Sequence, residues 1–242
     1  MTAAFDSSFF DDSYYAQHYR RRRWRARGDK PVLYRTLLRK LRPYAGGRLL
    51  DVGCGEGHLL RRATVLFDAH GIDISRAAVH AARRNTGLTT VSVGSATDLP
   101  YDDGYFDVVC ALDIAEHLPD PGRLLAESSR VLRPGKLLVL STPNPESLGH
   151  RLKGRGWHAN GDESHIGIRP MNAWRALLAK YAFEIVRDGS DTMWDTPYVR
   201  WAPDRFQWAV FIGLAQAMWS IDVAFRWRLG ENYVCFARKA AA

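Results

Sequence analysis

Cysteine is scarce in this chain: Cys54, Cys110 and Cys235 are the three present among 242 residues. An odd number cannot all pair, and two of the three fall in stretches that read as buried strand or adjoining loop. Reduced thiols are therefore expected, not a disulfide framework. The start, Met1–Asp12, lacks both a basic leader and an apolar core, which argues against a signal peptide and for a cytoplasmic location. No internal repeat or low-complexity segment occurs. Nor is there a clean hydrophobic run of membrane-spanning length. Phe206–Phe225 is about long enough to cross a bilayer as a helix, but Gln207, Gln216, Ser220 and Asp222 interrupt it. With 46% hydrophobic and 25% charged residues, wholesale disorder is excluded as well.

What remains is a chain suited to one α/β domain over residues 1–242 with embellishments. After a helical N-terminal cap, residues 1–46, apolar and helical runs alternate in the manner of βαβ units on a parallel sheet. Strands are expected at about Arg48–Val52, Ala69–Asp73, Thr90–Gly94, Phe106–Leu112 and Lys136–Thr142. Helices fall between them at Leu59–Leu66, Arg76–Asn85 and Pro121–Val131, preceded by a long one at Asp12–Leu41. Leu132-Arg133-Pro134-Gly135 reads as a turn. The half from 145 to 242 holds a helix at Met171–Tyr181, a strand at Phe183–Asp188 and a last strand at Asn232–Arg238. Between those strands lies an aromatic insertion, residues 190–230. Within it Ala209, Gly213, Gln216, Ser220 and Ala224 recur at helical spacing. That pattern suits a lid over an apolar acceptor, then a homodimer face, then a shallow membrane contact.

The net charge is +8. Much of it sits in Arg20–Arg27, a run interleaved with Trp24 that would bind phosphates in a nucleic-acid protein. A solvated helix face accounts for it more simply, and charge alone does not choose the substrate.

Leu49-Leu50-Asp51-Val52-Gly53-Cys54-Gly55-Glu56-Gly57-His58-Leu59-Leu60 passes from a buried strand directly into a helix. Its glycines permit positive φ and close approach of the backbone to a ligand. A dinucleotide fingerprint needs glycine where His58 stands. An acid beside the turn, Asp51, instead suits a ligand carrying an ammonium group. Asp73 ends the next strand, where a carboxylate can accept hydrogen bonds from both ribose hydroxyls; the alternative role is to cap the following helix.

These residues, together with Asp98-Leu99-Pro100-Tyr101, Phe106-Asp107-Val108-Val109, Glu116-His117-Leu118-Pro119-Asp120-Pro121, Leu132-Arg133-Pro134-Gly135 and Ser141-Thr142-Pro143-Asn144, resemble class I S-adenosylmethionine (SAM) methyltransferases. The subgroup is the one that includes the ubiquinone-biosynthesis O-methyltransferases and many natural-product enzymes. The resemblance covers about Gly47–Asn144. It implies a Rossmann-like α/β fold: a seven-stranded, mostly parallel sheet with an antiparallel last strand and helices on both faces. Asp51, Gly53, Cys54 and Gly55 would hold the methionine end of SAM, and Asp73 with Ile74 the ribose and adenine. Leu112 would lie near the sulfonium. One departure stands out. The family usually sets an aspartate against the adenine amino group where this chain has Ser95, followed by Ala96. Exchanging a charge-assisted bond for a neutral one costs roughly 1 kcal/mol, so binding should survive.

Methyl transfer from a sulfonium needs no acid for departure, and in-line positioning supplies about 7–11 kcal/mol. A base matters when the acceptor is protonated, since ionising a phenol of pKa near 10 costs about 4 kcal/mol at neutral pH. Asp113, Glu116 and His117 stand at i, i+3 and i+4. On one helix face they would form an oxygen–oxygen–nitrogen set able to hold Mg²⁺, an arrangement similar to the metal-associated motif of the ubiquinone enzymes. The plainer role is to organise the start of the helix. His117 and His165 are the candidate catalytic residues, His165 because relatives carry a histidine in the loop before the corresponding helix. Tyr14, Tyr15 and Tyr19 suit helix packing, or a lid over the site.

The expected function is therefore methyl transfer from SAM to a small-molecule acceptor, most simply O-methylation of a hydroxyl on a partly apolar metabolite. RNA methylation through the basic helix and N- or C-methylation of a natural product are the alternatives. Methylases of exocyclic base amines show Asn/Asp-Pro-Pro-aromatic after the fourth strand, and this chain reads Ala111-Leu112-Asp113-Ile114.

Overall fold

A computed structural model describes residues 29–191, 193–220 and 228–241. The sheet has seven strands: β1 (Arg48–Val52), β2 (Asp68–Asp73), β3 (Val91–Val93), β4 (Phe106–Leu112), β5 (Leu132–Pro143), β6 (Phe183–Ser190) and β7 (Asn232–Lys239). Their order is β3-β2-β1-β4-β5-β7-β6. All pairings from β3 across to β5 are parallel, and β7 runs antiparallel to both β5 and β6. This is the Rossmann-like arrangement expected from the sequence.

The apolar runs form strands because both faces of a parallel sheet are covered, so each strand must be hydrophobic at successive positions. Alternate residues enter different cores. Leu50, Val109 and Leu138 join Trp174, Leu124 and Leu178 in one cluster. Their chain neighbours Leu49, Val108 and Val139 join Leu37, Leu41 and Phe236 in the other. The helices on these faces are α1 (Asp29–Leu41), α2 (Leu60–Ala63), α3 (Arg76–Thr86), α4 (Pro121–Val131), α5 (Leu148–Lys153), α6 (Met171–Lys180) and α7 (Asp204–Ser220). Ser75 caps α3 by accepting the Ala78 amide, and Gly87 ends it in the left-handed region, where a residue without Cβ carries no steric penalty. Asp120 caps α4 through the Gly122 amide, with Pro121 at the first helical position.

Several expectations are corrected. The expected helix Leu59–Leu66 has α geometry over Leu60–Ala63, followed by turns. Leu132-Arg133-Pro134-Gly135, expected as a turn, belongs to β5: Phe106 pairs with Leu132 and Val108 with Leu137, so the extra residues are absorbed in a bulge, with Gly135 at φ +73°. No α-helix begins at Asp113. That residue has φ +54°, and the chain continues into a single 3-10 turn, Ala115–His117. The expected helix Asp12–Leu41 is described from Asp29 onward. Its earlier part, with Tyr14, Tyr15, Tyr19 and Arg20–Arg27, lies outside the described residues, as does the end of the expected helix Phe206–Phe225.

The insertion between β6 and β7 carries α7. Gln207, a polar interruption by sequence, is a buried staple: its side chain accepts from the amides of Tyr198 and Val199 and donates to the carbonyls of Val199 and Ala202. Phe206, Val210 and Leu214 face outward. Among the described residues no helix is long and apolar enough to cross a membrane.

Candidate active site

β2 lies on one side of β1 and β4 on the other, so the chain reverses direction across the sheet between them. In doubly wound sheets the crevice at such a switch point, outside the carboxyl ends of the strands, is where ligands bind. Here that crevice is framed by Asp51 on β1, the turn Gly53–Gly57, Asp73 at the end of β2, and Leu112 and Asp113 at the end of β4.

The turn is held from below and from the side. The amides of Gly53 and Cys54 both donate to the Ile72 carbonyl, at 2.8 and 3.1 Å. The Gly55 amide donates to Asp73 Oδ2 at 2.8 Å, and the Ser75 amide to Asp73 Oδ1 at 2.9 Å. Asp73 thus ties the glycine turn to the start of α3. A carboxylate oxygen can accept more than one hydrogen bond, so these amides do not bar Asp73 from hydroxyl partners. At Gly53, φ is +72° and an added Cβ would sit 2.6 Å from Ile114 Cδ1; at Gly57, φ is +77° and it would meet Thr86 Cγ2 at 2.9 Å and Ala82 Cβ at 3.1 Å, so both ends of the turn are held to glycine. Asp51 and Asp73 are both buried. Their charge reaches Cys54, whose thiol is pushed up first by burial and then by these two carboxylates. A buried pair of carboxylates beside a glycine-rich bend fits a ligand with an ammonium at one end and a ribose at the other. Ile74 and Leu112 flank it, half-buried. Ser95 sits on the β3 side, its hydroxyl 2.9 Å from Thr97 Oγ1 and accepting from the Thr97 amide, while Ala96 is buried beside it.

Across the crevice, at the β4 end, the Ser141 hydroxyl donates to Asp113 Oδ1 at 2.5 Å, and the Asp113 amide donates back to the Ser141 carbonyl. The 3-10 turn after it presents His117. The loop 162–167 packs on this turn through the Gly167 amide, which donates to the Glu116 carbonyl at 2.8 Å. That contact carries His165 against His117, with ring centroids 4.8 Å apart. Burial pulls the His117 imidazole down to about 4, and the neighbouring His165 adds to this, against the opposing pull of Asp162. His165 is lowered by burial too. Both rings are therefore neutral at pH 7.

A protein-family model described as a methyltransferase domain matches residues 16–188. That span is well over half of the chain. The chain belongs to the methyltransferase-domain family. It is 38% identical over 116 residues to the 27-O-demethylrifamycin SV methyltransferase of Amycolatopsis mediterranei, covering 43% of each chain. It is 32% identical over 148 residues to a ubiquinone biosynthesis O-methyltransferase of Parvibaculum lavamentivorans, covering 58% of this chain and 56% of that one. The chain thus spans about half the length of the curated relatives it matches. In fold it is similar to a SAM-dependent methyltransferase of Thermotoga maritima, with a TM-score of 0.67, 18% identity, and coverage of 93% of this chain and 97% of that one.

Within this methyltransferase domain the expected Mg²⁺ set is not assembled. Asp113, Glu116 and His117 would share a face only on an α-helix, and the positive φ of Asp113 turns its carboxylate toward Ser141 instead. The side chains brought within 4.8 Å of one another are Glu116, His117 and His165. Two imidazoles and one carboxylate do not match the oxygen preference of Mg²⁺.

A second buried cluster in the methyltransferase has no forerunner in the local sequence pattern. Glu231, fully buried, accepts from Trp157 Nε1 at 2.6 Å, from Ser147 Oγ at 3.2 Å and from the Tyr198 hydroxyl. Asp195 pairs with Lys153 at 2.9 Å, and His158 Nδ1 lies between the two acids at 3.8 and 3.6 Å. The members lie as far apart as Ser147 and Glu231 in sequence, and no local spacing connects them.

Proposed function

We propose that this domain transfers a methyl group from SAM to a hydroxyl of a small, partly apolar acceptor. The observation that carries the reading is the neutral, half-buried pair His117 and His165, set at the β4 end of the crevice whose other side carries Asp51 and Asp73. When bound, SAM supplies an electrophilic methyl on a neutral leaving group. Asp51 would pair with the ammonium of its methionine end, and the turn Gly53–Gly55 would lie along that end. Asp73 would accept from the ribose hydroxyls through the same oxygens that hold the turn, with Ile74, Ser95 and Ala96 bordering the adenine. His117, uncharged at pH 7, would take the proton of the acceptor hydroxyl as the new bond forms, and His165 would line the same wall. The names of the O-methylating relatives support the choice of oxygen; the fold alone does not encode the acceptor atom.

The test is incubation with methyl-labelled SAM and separated small-molecule, RNA and protein pools, with and without EDTA. Label is expected in small molecules bearing a hydroxyl, undiminished by the chelator. Label confined to RNA would overturn the acceptor class.

A further inference from the structure

His117 does not stand alone: its Nδ1 lies 2.8 Å from Ser164 Oγ, and the Ser164 hydroxyl donates to Asp162 Oδ1 at 2.5 Å. The Ser164 amide donates to the same carboxylate oxygen at 3.0 Å, so both hydrogens that Ser164 has to give are committed to Asp162. Ser164 is fully buried. A hydroxyl has one proton. Once it points at Asp162, Ser164 Oγ can offer only a lone pair to the ring, and a lone pair facing an unprotonated Nδ1 would repel it. A neutral imidazole has a single N–H, and here it must be at Nδ1.

We propose that Asp162 and Ser164 are positioning residues that hold His117 in the Nδ1–H form, leaving Nε2 as its proton-accepting atom. The proposal rests on His117 being the base of the reading above and adds which nitrogen does the work and what selects it. The same logic applies to the neighbouring ring. His165 Nδ1 lies 2.8 Å from the Ala159 carbonyl oxygen, which can only accept, so His165 is Nδ1–H as well and its Nε2 is unprotonated. His165 Nε2 itself lies 3.8 Å from Asp162 Oδ2, so the Asp162 carboxylate faces both rings, His117 through Ser164 and His165 more distantly. The arrangement is that of a carboxylate orienting a catalytic histidine, lengthened by one hydroxyl. The loop that supplies it is docked by Gly167, where an added Cβ would come within 3.2 Å of the Glu116 carbonyl.

The test uses the full chain, labelled with ¹⁵N and saturated with S-adenosylhomocysteine, and reads the protonation of each His117 ring nitrogen by multiple-bond proton–nitrogen correlation. The wild type should show a protonated Nδ1 and an unprotonated Nε2. Ser164→Thr keeps the hydroxyl and should keep that pattern, whereas Ser164→Ala should lose it. Asp162→Asn can donate its amide to Ser164, which frees the hydroxyl proton for Nδ1 and should move the ring proton to Nε2. S-adenosylhomocysteine affinity should stay within twofold throughout, which separates ring effects from misfolding. Methyl transfer to the hydroxyl-bearing small molecule labelled in the incubation above should fall about 10²-fold in kcat for Asp162→Asn, with KM for SAM unchanged. A wild-type ring protonated at Nε2, or a ring unmoved in both Ser164→Ala and Asp162→Asn, overturns the relay. A ring that moves while kcat does not overturns its catalytic meaning and, with it, the assignment of His117 as base.

Discussion

Replacing Asp73 with alanine should do two separable things. In the folded chain its carboxylate accepts the Gly55 amide at 2.8 Å and the Ser75 amide at 2.9 Å. Both bonds are buried and cross between the glycine turn and the start of α3. An amide left without an acceptor in such a place costs about 1–3 kcal/mol. Water entering the crevice offsets part of this, so two orphans put the loss near ~2–4 kcal/mol. In a chain of this size each kcal/mol moves Tm by about 2–4 °C, so a fall of roughly 4–16 °C is expected by calorimetry. The same substitution removes the acceptor proposed for the ribose hydroxyls. Two hydrogen bonds to a charged group, each about 1.5–3 kcal/mol, should weaken SAM at least ~10²-fold in a binding titration at a temperature where the variant is folded. A lower Tm with unchanged SAM affinity would refute the ribose assignment while leaving the anchoring role intact. An unchanged Tm would refute the anchoring argument itself.

Gly53→Ala should weaken SAM binding and lower Tm, because φ +72° strains any side chain and the new Cβ would meet Ile114 Cδ1 at 2.6 Å; binding and melting curves equal to wild type would remove the close-approach argument. Stability should fall as pH drops from about 6.5 to about 4, where His117 is protonated in the unfolded chain but still neutral in the folded one. The loss by pH 4.5 is on the order of 2–3 kcal/mol, read from urea melts at pH 7 and pH 4.5, and it should shrink in His117→Gln. Glu231→Gln leaves one oxygen for Trp157, Tyr198 and Ser147 and withdraws the charge facing His158. Proteolysis within the insertion should then accelerate while SAM affinity holds; an unchanged cleavage rate would show that the cluster does not secure the insertion.

The parallel core could be read from sequence because burial on both faces forces it into apolar runs: β1 and β4 fall where Arg48–Val52 and Phe106–Leu112 place them. Local punctuation was less dependable. Leu132-Arg133-Pro134-Gly135 has the composition of a turn, yet β4 pairs with residues on either side of it and draws it into a bulged strand. The metal triad failed for a related reason. The i, i+3, i+4 spacing of Asp113, Glu116 and His117 carries meaning only in an α-helix, and one residue with positive φ redirects the first side chain to Ser141. At the ends of β1 and β2, Asp51, Gly53 and Asp73 stand close in sequence to the strands that carry them, so their grouping could be foreseen. The region beyond the end of β4 is assembled across distance. His117 meets Ser164 and His165, and Glu231 meets Ser147, through loops whose docking depends on backbone contacts such as Gly167 to Glu116. No spacing rule encodes those.

The return of the chain into β7 has a consequence for how such a domain can change. Asn144, just past the end of β5, holds the carbonyls of Arg228 and Gly230 with its side-chain amide at 3.0 and 2.8 Å, and the Asn144 amide bonds the Glu231 carbonyl. Both stalks of the insertion are thus clamped where they leave the sheet: Ser190 Oγ accepts the Gly230 amide on the other side. Beyond the clamp, Asp195 and Tyr198 still reach back to Lys153 and Glu231, so an exchanged insertion has to supply those two contacts again or replace both of their sides. A graft cut at Asp191 and Gly230 that keeps those contacts would change the insertion while leaving the hold of Asn144 and Ser190 on Gly230 in place, a seam at which such a domain can diversify.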